Sequence, residues 1–210
     1  MVGTVIVAAL SGLYTPKHGD VSIETPSAHY SIVNYTSNGR QIRGLVTGPT
    51  GVQSGVYLDG TKGLPFWYTR RMVEVTIAAK PRTVLLLGGG AFTMAEHMAR
   101  QLPNTHIDVV EIDPGLENIS RQYFSYQSLP NVKLIFDDAR TYIQRTNRHY
   151  DVVLIDVYNG GEIPYSLLTA EYGSELARIT REDGLVVANL IAGLNNAPCR
   201  ELFAAFDAAH

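Results

Sequence analysis

The run Thr83-Val84-Leu85-Leu86-Leu87-Gly88-Gly89-Gly90 decides the fold. Its uncharged β-formers suit a strand buried on both faces, and the glycines that follow let the backbone turn tightly and approach a ligand. The same alternation of β run and helix continues downstream. Strands are expected at Thr83 to Leu87, His106 to Ile112, Val132 to Phe136, Asp151 to Ile155 and Gly184 to Leu190. Helices are expected near Thr93 to Gln101, Leu116 to Tyr123, Arg140 to Arg145 and Ala170 to Thr180, with a last one at 197–208 and no strand after it. This order predicts an α/β chain with a parallel sheet covered on both faces, whose ligands bind beyond the carboxyl ends of the strands.

The strand ends carry the chemistry. A dinucleotide loop G-x-G-x-x-G would need glycine at position 93, where Thr93 stands, so a nucleoside site is favoured over a pyrophosphate cradle. Glu111 closes the second strand and can accept hydrogen bonds from both ribose hydroxyls of an adenosyl group. At the third strand end, Asp138, followed by Ala139, can receive the exocyclic amine of adenine; the competing reading makes Asp137 or Asp138 the cap of the next helix. These ends predict a Rossmann-like fold of the S-adenosylmethionine-dependent methyltransferase type, stopping short of the last two strands such sheets add.

Asp156 emerges from the apolar fourth strand and is the first candidate for catalysis. An amine nucleophile arrives protonated, with a pKa of about 10, and must lose that proton before it attacks carbon. A carboxylate beside it holds, orients and deprotonates the ammonium. The rings of Tyr68 and Tyr158 add cation–π attraction. A sulfonium leaving group departs neutral, so no general acid is required.

Upstream the pattern is different. Tyr30 to Tyr35 and Gln41 to Val46 read as β segments around the turn signal Asn38-Gly39, and Gly48-Pro49 punctuates the next turn, which together predict a small antiparallel sheet. Leu64 to Ala79 has helical apolar spacing with Pro65 near its start. The expected organisation is an apolar segment over 1–20, a small β domain over 21–62 and the nucleoside-binding domain over 63–210. Two readings stand for the apolar Val2 to Leu10, a buried first strand or the trailing end of a membrane helix. The run is well short of the roughly 18 residues a span needs.

The 210 residues are 45% apolar with a formal charge of −3, so one core is affordable and a nucleic-acid surface is not expected. The single cysteine, Cys199, excludes an internal disulfide and suits a reducing, cytoplasmic compartment. The six histidines show no metal-ligand spacing, and no metal is expected.

Gly88-Gly89-Gly90, Val110-Glu111-Ile112-Asp113-Pro114, Asp138-Ala139 and Asp151-Val152-Val153-Leu154-Ile155-Asp156 resemble the polyamine aminopropyltransferases, the spermidine synthases. The likeness extends upstream through Gln53-Ser54 and the aromatic helix around Tyr68. It implies a transferase using decarboxylated S-adenosylmethionine on a small amine, usually dimeric and without metal. Glu111 would contact the ribose, Asp138 the adenine, Asp156 the attacking amine and Tyr68 the polyamine chain. Gln53, Ile112 and Ala139 would join the glycines in the nucleoside site.

Two positions depart from that pattern. Ala91 stands where the family holds the aminopropyl ammonium with an acid, and Asn159 where a second fourth-strand acid is usual. Gly90-Ala91-Phe92-Thr93 and the stretch Gly161 to Thr169 resemble a branch of spermidine-synthase-like domains often fused behind a multispanning membrane region. The leading expectation is aminopropyl transfer. The alternatives are a methyltransferase using intact S-adenosylmethionine, and a non-catalytic nucleoside-binding module attached to a membrane domain.

Overall fold

A computed structural model of the chain describes residues 3–8, 20–47, 51–158, 164–167 and 169–190. The helix expected at 197–208, the Gly48-Pro49 turn and Asn159 lie outside these residues.

Among the described residues the larger sheet has six parallel strands. They are β1 (Gly3–Ala8), β6 (Thr83–Leu87), β7 (His106–Glu111), β8 (Val132–Phe136), β9 (Tyr150–Ile155) and β10 (Thr180–Leu190), in the order β1-β10-β9-β6-β7-β8. Leu87 pairs with Val110 on one side and Ile155 on the other, which aligns the carboxyl ends of the three central strands. Side chains alternate across a strand, so every second residue enters a different core. Val84, Leu86, Val109, Leu154 and Val187 face one core, with α1 (Trp67–Ala79), α2 (Thr93–Gln101) and α3 (Gly115–Tyr123). Leu85, Leu87, Val110, Val153 and Val186 face the other, against α4 (Ala139–Arg145) and α5 (Ala170–Ile179).

The smaller sheet is antiparallel, in the order β2 (Val21–Glu24), β3 (His29–Ser37), β4 (Arg40–Thr47), β5 (Val52–Tyr57). Asn38 and Gly39 take φ of 51° and 72° and join the directly opposed Ser37 and Arg40, the two-residue turn expected of Asn-Gly. Tyr30, Ile32 and Leu45 of this sheet share the core with α1, α2 and α3. The small sheet therefore lies against the same face of the large sheet as those helices.

Residues 3–8 are a strand, not the end of a helix. β1 pairs in parallel with β10, from Gly3 opposite Leu185 to Ala8 opposite Leu190. The strand reading of the apolar start is therefore the one adopted, in the larger sheet. β10 also begins earlier than expected, at Thr180, and its pairing with β9 shifts register before Leu185. The Thr180 hydroxyl donates to the Leu176 carbonyl (2.7 Å), so helix end and strand start share one residue. No described helix is long and apolar enough to cross a membrane.

Candidate active site

The glycine turn is wedged between two strand ends. Gly88 N–H donates to the Val110 carbonyl (2.9 Å), and Asp156 N–H donates to the Leu87 carbonyl (2.9 Å). Gly88 has φ of 88°, and a Cβ there would stand 2.2 Å from the Asp156 carbonyl oxygen. Only glycine fits without displacing the fourth strand end. Gly90, at φ 51°, faces the small sheet, since a Cβ would meet Ser54 Oγ at 2.4 Å. That hydroxyl accepts the Ala91 N–H at 3.1 Å. The turn is completed by Phe92, itself left-handed at φ 55°, whose buried ring packs where a Gly89 side chain would go.

Glu111 shares strand parity with Val109 and faces the turn. Its carboxylate accepts the N–H groups of Gly89 (2.8 Å) and Gly90 (3.1 Å) on one oxygen, and that of Asp113 (3.0 Å) on the other. The side chain is buried. Burial raises its pKa above the usual carboxylate range, and the backbone donors oppose that shift. A carboxylate has about four acceptor sites, so three are spent on the protein's own backbone. Ile112 beside it is 62% exposed, an apolar side chain standing open at the sheet's rim.

Asp156 extends the parity of Val152 and Leu154 and faces the same side as Glu111. The surrounding protein desolvates its carboxyl and lifts its pKa to about 6, against the lowering effect of a hydrogen bond from Asn189. Asn189 Nδ2 donates to Asp156 Oδ1 at 2.8 Å, while the Asn189 backbone carbonyl accepts the Tyr158 hydroxyl. Asn189 is buried, and its side-chain oxygen has no partner among the described residues. Tyr68, also buried, donates its hydroxyl to the Gln53 carbonyl (2.9 Å). Its phenol is held well above the ordinary value by burial, then by the negative charge of Asp156 and by Tyr158. Asp156, Tyr68, Tyr158 and Asn189 thus form one cluster beside the glycine turn.

Not every expected residue joins that cluster. Asp138 is exposed and caps α4, its carboxylate accepting the Thr141 N–H at 2.8 Å. Ala139 opens α4 and is buried in the core that this helix covers. Both adjoin Glu111 through the backbone, because Asp137 N–H donates to the Glu111 carbonyl (3.0 Å). The Gln53 side chain is held by Thr47 Oγ1 at 2.8 Å, whereas its backbone carbonyl meets Tyr68.

Sequence reasoning missed Asn189, Ser54 and Asp113 as site residues. Asn189 had a signal, since a polar residue ending the apolar run Leu185 to Ala188 repeats the pattern that singled out Asp156. Among the described residues no group of His, Cys, Asp and Glu side chains is arranged to hold a metal ion.

The sequence profile of the spermine/spermidine synthase domain matches residues 65–190. A polyamine aminopropyltransferase of Vibrio vulnificus is 34% identical over 143 residues, covering 66% of this chain and 48% of that protein. The chain thus spans about half the length of the curated relatives it matches. A probable spermidine synthase from Corynebacterium glutamicum has the same fold, with a TM-score of 0.67 and 27% identity over 83% of this chain and 64% of that one. A spermidine synthase in complex with the transition-state analogue AdoDATO superposes with a TM-score of 0.59 over 94% of this chain and 74% of that one; at 15% identity it speaks for the fold alone.

Proposed function

This chain belongs to the spermine/spermidine synthase family, and on that premise we propose that it transfers an aminopropyl group from decarboxylated S-adenosylmethionine to a small amine. The observation that carries this reading is the placement of Asp156. It stands on the same sheet face as Glu111, beside the glycine turn, close to Tyr68 and to the Asn189–Tyr158 pair.

In this reading the nucleoside lies over Gly88, Gly89 and Gly90, with its ribose on the remaining acceptor capacity of Glu111. The base rests on Ile112, with Asp138 and Ala139 at its edge and Gln53 closing the site from the small sheet. Asp156 receives the ammonium of the acceptor, whose charge offsets the cost of ionising a desolvated carboxyl. As the ammonium gives its proton to Asp156, the nitrogen lone pair forms a C–N bond to the methylene carbon next to sulfur. The C–S bond breaks, its electron pair stays on sulfur, and neutral methylthioadenosine leaves. Positioning and electrostatics supply the acceleration. The reaction calls on no metal.

The test is direct. Protein incubated with decarboxylated S-adenosylmethionine and a panel of mono-, di- and polyamines is expected to release methylthioadenosine, and the Asp156→Asn variant is not. Silence of the wild type across the panel sinks the proposal.

A methyltransferase using intact S-adenosylmethionine is the second reading, favoured by Ala91. That residue is buried and apolar where the family resemblance expects an acid for the aminopropyl ammonium. Calorimetry with both nucleosides decides between them. A preference of tenfold or more for the decarboxylated form is expected, and the opposite preference supports methyl transfer.

A further inference from the structure

Asp113 lies two residues beyond Glu111 and is fully buried at the joint between the two sheets. One carboxylate oxygen accepts the Gly115 N–H (2.8 Å) at the start of α3. The other accepts the Thr25 hydroxyl from the turn between β2 and β3. The Tyr30 phenol of β3 lies beside the same carboxylate, and burial, then the neighbouring Asp113, raise its pKa well above the ordinary value. The joint is close-packed, since a Cβ at Gly115 would stand 2.8 Å from Thr25 Cγ2. Meanwhile the Asp113 backbone N–H holds the free side of the Glu111 carboxylate (3.0 Å). One residue therefore connects the small sheet's hydroxyls to the group that faces the glycine turn.

We propose that Asp113 is a positioning residue for the nucleoside site, through which Thr25 and Tyr30 of the small sheet set the orientation of Glu111 toward the ribose. The inference rests on the reading that a nucleoside binds at the glycine turn. The small sheet then grips the site twice, at Glu111 through Asp113 and at the turn itself through Ser54. A buried carboxylate that loses a hydroxyl donor reorients or recruits water, and the peptide N–H it fixes moves with it. One oxygen of the Glu111 carboxylate is consequently held only as well as the small sheet is docked, while the other stays on the glycine turn.

The experiment measures binding of methylthioadenosine and of its 2′,3′-dideoxy analogue, which lacks both hydroxyls, to the whole protein by calorimetry. Tyr30→Phe and Thr25→Val are expected to weaken methylthioadenosine about tenfold, as loss of one charge-assisted hydrogen bond allows. Because the effect passes through ribose contacts, the same variants are expected to weaken the 2′,3′-dideoxy analogue by about twofold or less. Thr25→Ser, which keeps the hydroxyl, is expected to bind as wild type does. Asp113→Asn is expected to show the largest loss; if it does not fold, the hydroxyl variants carry the test. Equal losses on both nucleosides, or binding within twofold of wild type by Tyr30→Phe and Thr25→Val, overturn the inference and leave the site assignment standing. Failure of the wild type to bind either nucleoside overturns the site assignment and the inference together.

Discussion

Asp156 carries its charge at a cost. In an unfolded chain an aspartate titrates near 4, but here desolvation holds the proton to about 6. Between those values the folded state binds more protons than the unfolded one, so this group's contribution makes stability fall as pH rises through the window. Above it the ionised carboxylate costs up to about 3 kcal/mol. Asp156→Asn is therefore expected to raise the melting temperature by several degrees at pH 8 and to leave it nearly unchanged at pH 4, read from thermal melts at both. For the proposed aminopropyl transfer, the same titration is expected to place the acid limb of kcat/KM near pH 6 in the wild type. Asn189→Ala, which removes the amide donor on Asp156, is expected to move that limb upward, and an unmoved limb in a pH–rate profile would mean the amide is not setting the charge. A desolvated acid at a strand end was readable from the sequence. Asn189 carried a similar strand-end signal, but its pairing with Asp156 was not readable, because nothing local couples positions 156 and 189.

Elements impose a second kind of constraint, since a turn or helix start fixes which backbone groups face the site. Gly88→Ala combines a left-handed φ with a collision against the Asp156 carbonyl, and is expected to cost about 2–4 kcal/mol in denaturant unfolding. Asp138 presents a separable pair of roles. Its capping of α4 is present in the structure, and its contact with adenine is our proposal. Asp138→Ala is expected to lose about 1 kcal/mol of stability together with nucleoside affinity. Asp138→Ser keeps the cap, so it is expected to melt as wild type while binding methylthioadenosine about tenfold less tightly. Retained affinity in the serine variant would leave Asp138 a cap alone. Strands and helices of this region were legible because each has its own period: β6, β8 and α2 have the bounds the pattern gave. Boundaries moved by a residue or more where tertiary contacts extend or end an element, as at Tyr150 and Thr180.

At the scale of the molecule, the two sheets share one core. Leu45 of the small sheet is fully buried among residues of α1, α2 and the large sheet. Leu45→Ala is expected to cost about 2–5 kcal/mol and to lower the stability of both sheets together. Far-UV circular dichroism and the fluorescence of Trp67, the chain's one tryptophan, would then report a single transition; separate midpoints would show two independent units. Hydrophobic period and turn chemistry are local properties, and through them the sequence by itself determined the alternating strands and helices, the Asn38-Gly39 hairpin, the glycine turn and the acids at the strand ends. Tertiary structure alone decided that β1 lies beside β10, that Ser54 and Asp113 tie the small sheet to the glycine turn and Glu111, and that Asn189 meets Asp156. Those pairings join residues far apart in the chain, and their geometry is set by how the sheets pack against one another rather than by any run of neighbouring residues.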